Sequence, residues 1–514
     1  MLVKTYTAAV VSIEARIVTV EVNCEEGSNF SIVGLPDTAV RESYDRITTA
    51  LSVSGFNVQG QHTVINLSPA DLKKEGTGYD LPMAIGLVAA TGQMAVDHLK
   101  AYMLLGELSL DGTLRPVKGV LPIAIKAREA GFSGLIVPRG NGREAGVVSR
   151  LHVFEAASLK EVVNFLEGKG ALSEVHVDTR REFAQAQNEL HYDFCDVKGQ
   201  DNVKRALEVA AAGGHNVLMI GAPGSGKSMM AKRIPGILPP FTLSESLETT
   251  KVYSVAGKLP LNTMLLTERP FRAPHHSISM PALVGGGTQP RPGEISLAHN
   301  GVLFLDELAE FNRSVLELLR QPMEERRITV SRAKATVDYP ASFMLVAAMN
   351  PCPCGYYNHP TRLCTCPPGA VQKYLSRVSG PLMDRIDIQV EIAPVPFEKI
   401  SDNTPAESSA TIRSRVLAAR SIQTERFKGL REVHCNAQMG TKETRLYATP
   451  DAQGLKKLER AMSAFGLSAR AYDRILKVAR TIADLEGSET VLEQHIAEAI
   501  GYRSLDRDSW GRTF

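Results

Sequence analysis

Along its opening stretch, "MLVKTYTAAVVSIEARIVTVEVN", the chain alternates apolar and polar positions and carries Glu14, Arg16 and Glu21. A period of two predicts half-buried β-strands, not the unbroken apolar core of a secretory leader. Residues 1 to about 165 continue as alternating strands and helices. Three short apolar runs of the buried-strand kind follow, at Asn216–Ile220, Gly301–Leu305 and Phe343–Met349. Just before the last of them, "RRITVSRAKATVDYP" (Arg326–Pro340) reads as a strand, a basic tip and a returning strand. From about residue 410 the apolar spacing turns helical, through "TIRSRVLAARSIQTERF", "PDAQGLKKLERAMSAFG", "GLSARAYDRILKVARTIADL" and "TVLEQHIAEAIGYRSLD".

Two stretches break this pattern. "GALSEVHVDTRREFAQAQNELHYD" is charged and weakly helical and reads as an exposed linker; "APVPFEKISDNTPAESSA" carries three prolines and small polar residues. The resulting plan is α/β. An α+β domain spans 1–168, a linker 169–190, an α/β core 191–396, a second linker 397–410 and a helical domain 411–514. A chain of 514 residues with 44% hydrophobic and 22% charged residues can build full cores in each part. No run reaches the roughly 20 apolar residues that cross a bilayer. A cytoplasmic location without membrane attachment is expected, with thiols kept reduced. Net charge is only +2, so any polyanion must be bound by local patches.

Chemistry enters at "NVLMIGAPGSGKSMMAKRI". A strand, then Gly221, Ala222, Pro223, Gly224, Ser225, Gly226, Lys227 and Ser228, then a helix is the context that the GxxxxGK[ST] phosphate loop requires. Backbone amides turn inward around the phosphates of ATP, Lys227 adds a point charge, and the Ser228 hydroxyl can ligate Mg²⁺. "GVLFLDELAEF" delivers Asp306 and Glu307 at the carboxyl end of a buried strand. Asp306 would hold Mg²⁺ through water and Glu307 would polarise the attacking water. Asn350 ends the next strand, where a polar side chain suits sensing of the γ-phosphate; an Asn opening a turn before Pro351 is also ordinary.

These pieces, with "DVKGQ" at 196–200, resemble an AAA+ P-loop ATPase. The block "RPFRAPHHSISMPALVGGGTQPRPGEISLAHNGVLFLDELAEF" is similar to magnesium-chelatase-type AAA+ proteins, and in particular to the ComM/YifB family. The resemblance covers essentially the whole chain. It implies a homo-oligomeric ring, expected to be a hexamer, in which one subunit completes its neighbour's site. "GPLMDRIDIQVEI" resembles the segment carrying the arginine finger, which maps to Arg385, with Arg377 as rival. The second-sensor role maps to Arg470, with Arg474 one turn later. The helical domain is the lid expected of such proteins.

The first domain resembles a Lon protease without its dyad. In "GTGYD" Gly78 stands where the nucleophilic serine would be, and Leu121 stands at the lysine position, one slip away from Lys118. Glycine has no side chain to attack a carbonyl, and Ser68 and Thr77 lie off the motif, so this site cannot acylate. An oligomerisation platform and a DNA-guiding module remain equal readings of this domain. Minichromosome-maintenance helicases, kin within the branch, place a DNA-contacting hairpin where Arg326–Pro340 lies. The resemblance matches its lysine to Lys334, and Arg332 sits nearby; cations there would track phosphates without reading sequence.

Four of the seven cysteines crowd "MNPCPCGYYNHPTRLCTC". Cys352, Cys354, Cys364 and Cys366 form two C-x-C arms able to close a tetrahedral Zn²⁺ site within a loop at 351–367. With no open position that site would be structural. His359 is the substitute ligand, and Cys24, Cys195 and Cys435 read as isolated and buried or inert.

The family implies an ATP-dependent hexameric DNA helicase that promotes branch migration during natural transformation. Its substrate would be single-stranded, forked or branched DNA without sequence preference. A chelatase-type ATPase motor and a protein unfoldase are the competing readings.

Overall fold

The structure, a computed structural model, describes residues 1–58, 60–186, 192–286, 290–332, 335–395, 406–430 and 433–503. Its first domain is built on a mixed sheet. The alternating opening forms an antiparallel pair, Leu2–Val11 with Glu14–Glu26, and Gln61–Ser68 joins the second of these. The sheet runs, edge to edge, through Ser173–Glu174, His152–Ala156, Gly134–Pro138, Tyr102–Leu104, Leu2–Val11, Glu14–Glu26, Gln61–Ser68 and Phe30–Val33. The helix Asp80–Ala90 is buried along its entire length, which explains why its sequence lacks a polar face.

The second sheet is parallel throughout, in the order Phe271–Arg272, Val302–Leu305, Met344–Met349, Val217–Gly221, Ile388–Ile392. Strands 217–221 and 344–349 are buried at every position, as expected where helices cover both faces of a parallel sheet. Because all five strands point the same way, Gly221, Asp306 and Asn350 follow three strand ends at one edge. That edge is where ligands bind in open α/β sheets.

The longer C-terminal helices are Ser409–Arg426, Ala452–Phe465, Ala469–Leu485 and Glu493–Gly501. Ser408, Asp451 and Ser468 cap the first three by accepting from a backbone amide in the first turn. Their apolar faces share one core with the second domain, in which Ile412, Val416, Ile475 and Ile482 join Ala206, Val209 and Val217.

The first domain is docked rather than tethered. Phe241, Met264 and Leu265 pack in the same cluster as Leu121, Ile123 and Leu135. The Gly119 amide donates to the Ser254 carbonyl at 3.2 Å, and the Ser254 hydroxyl bonds the buried Glu144 carboxylate, whose pKa burial pushes up. The first linker contains a helix, Thr179–Ala186, and Phe183 is buried against this cluster. The other described residues of this linker are exposed or partly exposed, as its polar composition suggests, and this one aromatic anchors it.

Gly78 lies among apolar groups: a Cβ there would sit 3.1 Å from a Leu105 methyl and 3.9 Å from a Val117 methyl. Lys118 extends across the domain junction against Gly257 of the second domain. Thr77 bonds the Glu107 carboxylate.

Candidate nucleotide site and metal centre

The phosphate loop turns out of strand 217–221 and into the helix Lys227–Ala231. Gly224 at φ +77 and Gly226 at φ +89 occupy the left-handed region, which a side chain would strain and which aims successive amides into one concavity. Lys227 is buried, which lowers its pKa against the attraction of Asp306 and Glu307. Its Nζ donates to the carbonyls of Gly221 (2.7 Å) and Ala222 (2.9 Å) and to Asn350 Oδ1 (3.3 Å). Ser228 Oγ donates to Asp306 Oδ2 at 2.6 Å. Lys227, Ser228, Asp306 and Asn350 thus form one connected cluster at the carboxyl edge of the sheet.

The residues suit a phosphate chain and its cation. The Ser225 hydroxyl is buried with no hydrogen-bond partner among the described residues, an orphan that a phosphate oxygen would satisfy. The Ser228–Asp306 pair offers the hard oxygens that Mg²⁺ takes alongside phosphate. Glu307 follows directly, in the left-handed conformation at φ +53, with its carboxylate 3.3 Å from His276 Nδ1. His276 has no role legible in the sequence. The one signal is the paired histidine in "RAPHHSIS", and nothing in the chain order places it beside Glu307.

The arginines form separate ion pairs. Arg385 is buried, bonded to the Glu324 carboxylate and the Pro381 carbonyl. Arg470 pairs with Asp384 at 3.4 Å, and Arg474 pairs with Asp387 at 2.5 Å. Arg377 pairs with Glu310 at 2.9 Å, on the loop that carries Glu307. Asp387 is the hub of this region. It meets His215 Nδ1 at 3.3 Å and accepts from the Asn216 amide at 3.1 Å, while His215 Nε2 reaches Thr481 at 2.8 Å. Burial opposes its ionisation, but the Arg474 guanidinium and His215 hold Asp387 far below the usual carboxylate range. Burial lowers the pKa of His215. Neither residue stands out in the sequence.

The metal-ligand candidates converge. Sγ atoms of Cys352, Cys354, Cys364 and Cys366 all lie within 4.8 Å of one another. Cys352 is 3.3 Å from Cys354 and 3.8 Å from Cys364, and Cys354 is 3.5 Å from Cys364. Thiolates about 2.3 Å from a tetrahedral zinc stand about 3.8 Å apart, so this spacing fits the ion. Burial acts against ionisation of Cys354, yet backbone amides of Tyr356 and Thr365 and the thiols of Cys352 and Cys366 bring its pKa down to about 6. His359 is not drawn in: its Nδ1 accepts from the Thr361 and Arg362 amides of its own turn. The loop also touches the phosphate loop, since a Cβ on Gly355 would sit 2.5 Å from Pro223 Cδ. Of the remaining cysteines Cys24 and Cys435 are buried, whereas Cys195 is half-exposed.

The basic hairpin forms as a strand pair, Arg327–Arg332 with Ala335–Pro340, in register Arg332 opposite Ala335. Its base is anchored by Tyr339, whose hydroxyl donates to the Pro290 carbonyl at 2.5 Å, and by Ser12, which donates to the Asp338 carbonyl at 2.6 Å. Lys334 and the side chain of Arg332 lie outside the described residues. Among the described residues, no helix is long and apolar enough to cross a membrane.

Comparison with known proteins matches three family descriptions in order along the chain. They are "Subunit ChlI of Mg-chelatase" over 20–141, "Magnesium chelatase, subunit ChlI" over 193–400, and "Magnesium chelatase, subunit ChlI C-terminal" over 406–503. The chain is 44% identical over 504 residues to the competence protein ComM of Haemophilus influenzae, covering 98% of this chain and 97% of that one. It is 44% identical over 505 residues to YifB of Escherichia coli, with the same coverage. The 67 kDa magnesium-chelatase subunit of Chlorobaculum parvum is 30% identical over 166 residues, 31% of this chain and 23% of that subunit.

Proposed function

Because this chain belongs to the ComM/YifB family of magnesium-chelatase-like AAA+ proteins, we propose that it is an ATP-driven motor acting on DNA. The observation that carries the ATPase part is the cluster of Lys227, Ser228, Asp306 and Asn350 with Glu307 beside it. The phosphate-loop amides and Lys227 hold the phosphates, and Ser228 and Asp306 hold Mg²⁺. A Mg²⁺ ion held there would supply charge neutralisation for the transferring phosphoryl group. Glu307 orients the attacking water, and Asn350, already bonded to Lys227, reports the γ-phosphate.

Subunits assemble as a homo-oligomeric ring, a hexamer by family expectation. Arg385 then reaches the nucleotide of a neighbour, and Arg470 takes the second-sensor role. Neither side chain belongs to the Lys227 cluster of its own subunit, which leaves the shared-site role to the family resemblance. A permanently charged guanidinium stabilises the spreading charge of the transferring phosphoryl group. Cys352, Cys354, Cys364 and Cys366 would hold a Zn²⁺ ion, which would fasten the loop after Asn350 and with it Gly355, which packs on Pro223 of the phosphate loop.

The work on DNA is branch migration or unwinding, with the hairpin of 327–340 contacting the backbone through Arg332 and Lys334. Support comes from the anchored hairpin and from the relative that bears the name competence protein. A chelatase-type motor is the second reading, favoured by the names of the matched family models. The deciding experiment measures ATP hydrolysis with and without single-stranded, forked and four-way-junction DNA, alongside strand displacement and junction migration. DNA stimulation with strand exchange is the expected result; hydrolysis indifferent to every DNA would remove the DNA reading and leave the chelatase one.

A further inference from the structure

Glu307 has a fixed backbone and an unsupported side chain. Its amide donates to Asp306 Oδ1 at 3.0 Å, and its carbonyl accepts from the Glu310 amide at 2.7 Å. The side chain is 56% exposed and has three rotatable torsions. A base that must meet one water in one place loses efficiency when it wanders by an ångström.

His276 is the neighbour that can prevent this. It lies between the edge strand Phe271–Arg272 and the helix Met280–Val284, and its Nδ1 stands 3.3 Å from Glu307 Oε2. The ring is itself held in place. His275 packs against it with centroids 4.0 Å apart, and buried Phe311 presents an edge contact at 6.4 Å and 76°. His275 is pinned in turn, since the Ser277 amide donates to its Nδ1 at 3.3 Å and the Ile278 amide to its carbonyl at 3.0 Å. The two groups stand at ion-pair distance without being aligned as a hydrogen bond; a small turn of the mobile carboxylate would let the imidazole, with its proton on Nδ1, donate to it.

We infer that His276 is the positioning residue for Glu307: its Nδ1–H holds one carboxylate oxygen and leaves the other to accept from the attacking water. This rests on the ATP-hydrolysis reading above. The histidine touches neither nucleotide nor water and acts only through the carboxylate. It narrows where the carboxylate of Glu307 can be.

The test uses full-length protein, ATP and a fluorescent ATP analogue. His276→Ala should lower kcat roughly tenfold, the scale of one lost hydrogen bond to a charged group. KM for ATP and analogue binding should stay within about twofold, because nothing in the phosphate-binding cluster has changed. His276→Asn sets an amide nitrogen near the position of Nδ1 and should recover most of the rate; His276→Gln sets it near Nε2 and should not. The inference is overturned by wild-type kcat in His276→Ala, by equal defects in Ala and Asn, or by loss of nucleotide binding. A wild-type protein that does not turn over ATP would overturn the hydrolysis reading first and this inference with it, so the two failures are told apart.

Discussion

Arg470 Nη1 lies 3.4 Å from Asp384 Oδ2, so the helix Ala469–Leu485 meets the chain one residue before Arg385. Arg474 on the same helix pairs with Asp387, two residues after Arg385. The finger and sensor candidates therefore meet at one joint of the molecule. Arg385 itself is sheathed by Glu324.

If Arg385 serves a neighbour's ATP, mixing Arg385→Ala with Lys227→Ala subunits should restore part of the hydrolysis that each lacks alone. Mixed interfaces can pair an intact phosphate loop with an intact arginine. Equal turnover per subunit at dilutions where the protein is a monomer would rule out the shared site. Sedimentation alongside the ATPase assay gives both quantities.

Lys227→Ala should abolish nucleotide binding, since the loop loses its buried cation. Glu307→Gln should bind ATP normally and release no phosphate, because the amide keeps the shape but loses the charge that orients water. Fluorescent-nucleotide titration and phosphate release separate the two. Wild-type phosphate release by Glu307→Gln would take this residue out of the catalytic role.

Purified under reducing conditions without chelator, the protein should carry close to one zinc per chain. Chelation should release the 351–367 loop and, because Gly355 packs on Pro223, raise KM for ATP several-fold while leaving the first domain folded. Elemental analysis and ATP kinetics before and after chelation check this. Absence of zinc would end the assignment.

Changing Arg332 and Lys334 together to Ala should weaken binding to single-stranded and forked DNA regardless of sequence. The salt slope of binding should flatten by about one unit for each phosphate that is no longer neutralised. Hydrolysis without DNA should survive, while DNA stimulation and strand displacement fall together. Normal unwinding by the double variant would free the hairpin from this role.

Asp387→Asn should destabilise the protein by about 3 kcal/mol at pH 7, since it removes the buried carboxylate that the half-buried Arg474 charge faces. The pH dependence has a definite sign. Asp387 has a folded pKa held below its unfolded value near 3.9, so its contribution is fully present above that value and fades as pH falls below it. Denaturant titrations of both proteins at pH 7 and below pH 4 should show the gap narrowing in acid. A gap independent of pH would mean that packing, not charge, holds the joint.

The sequence by itself determined what is local. Val217–Gly221 is apolar because a parallel strand is covered on both faces, and Gly224, Gly226, Lys227 and Ser228 follow at fixed spacing because a phosphate loop is one continuous turn. The hairpin of 327–340 announced itself by alternation, the C-terminal helices by their apolar period, and the thiol arms by crowding. Gly78 spoke through the side chain it lacks. Only the tertiary structure decided what depends on groups far apart in the chain. His276 and Glu307 are 31 positions apart, His215 and Asp387 172 apart, and Arg470 and Asp384 86 apart. No periodicity or spacing links such pairs, because strand order and helix docking, not chain order, set which side chains meet. The docking of the first domain was equally invisible: Phe241, Met264 and Leu265 look like ordinary apolar residues until a second domain covers them. Hydrophobic burial is non-directional, so a sequence shows that such a face must be covered and leaves its partner to the fold.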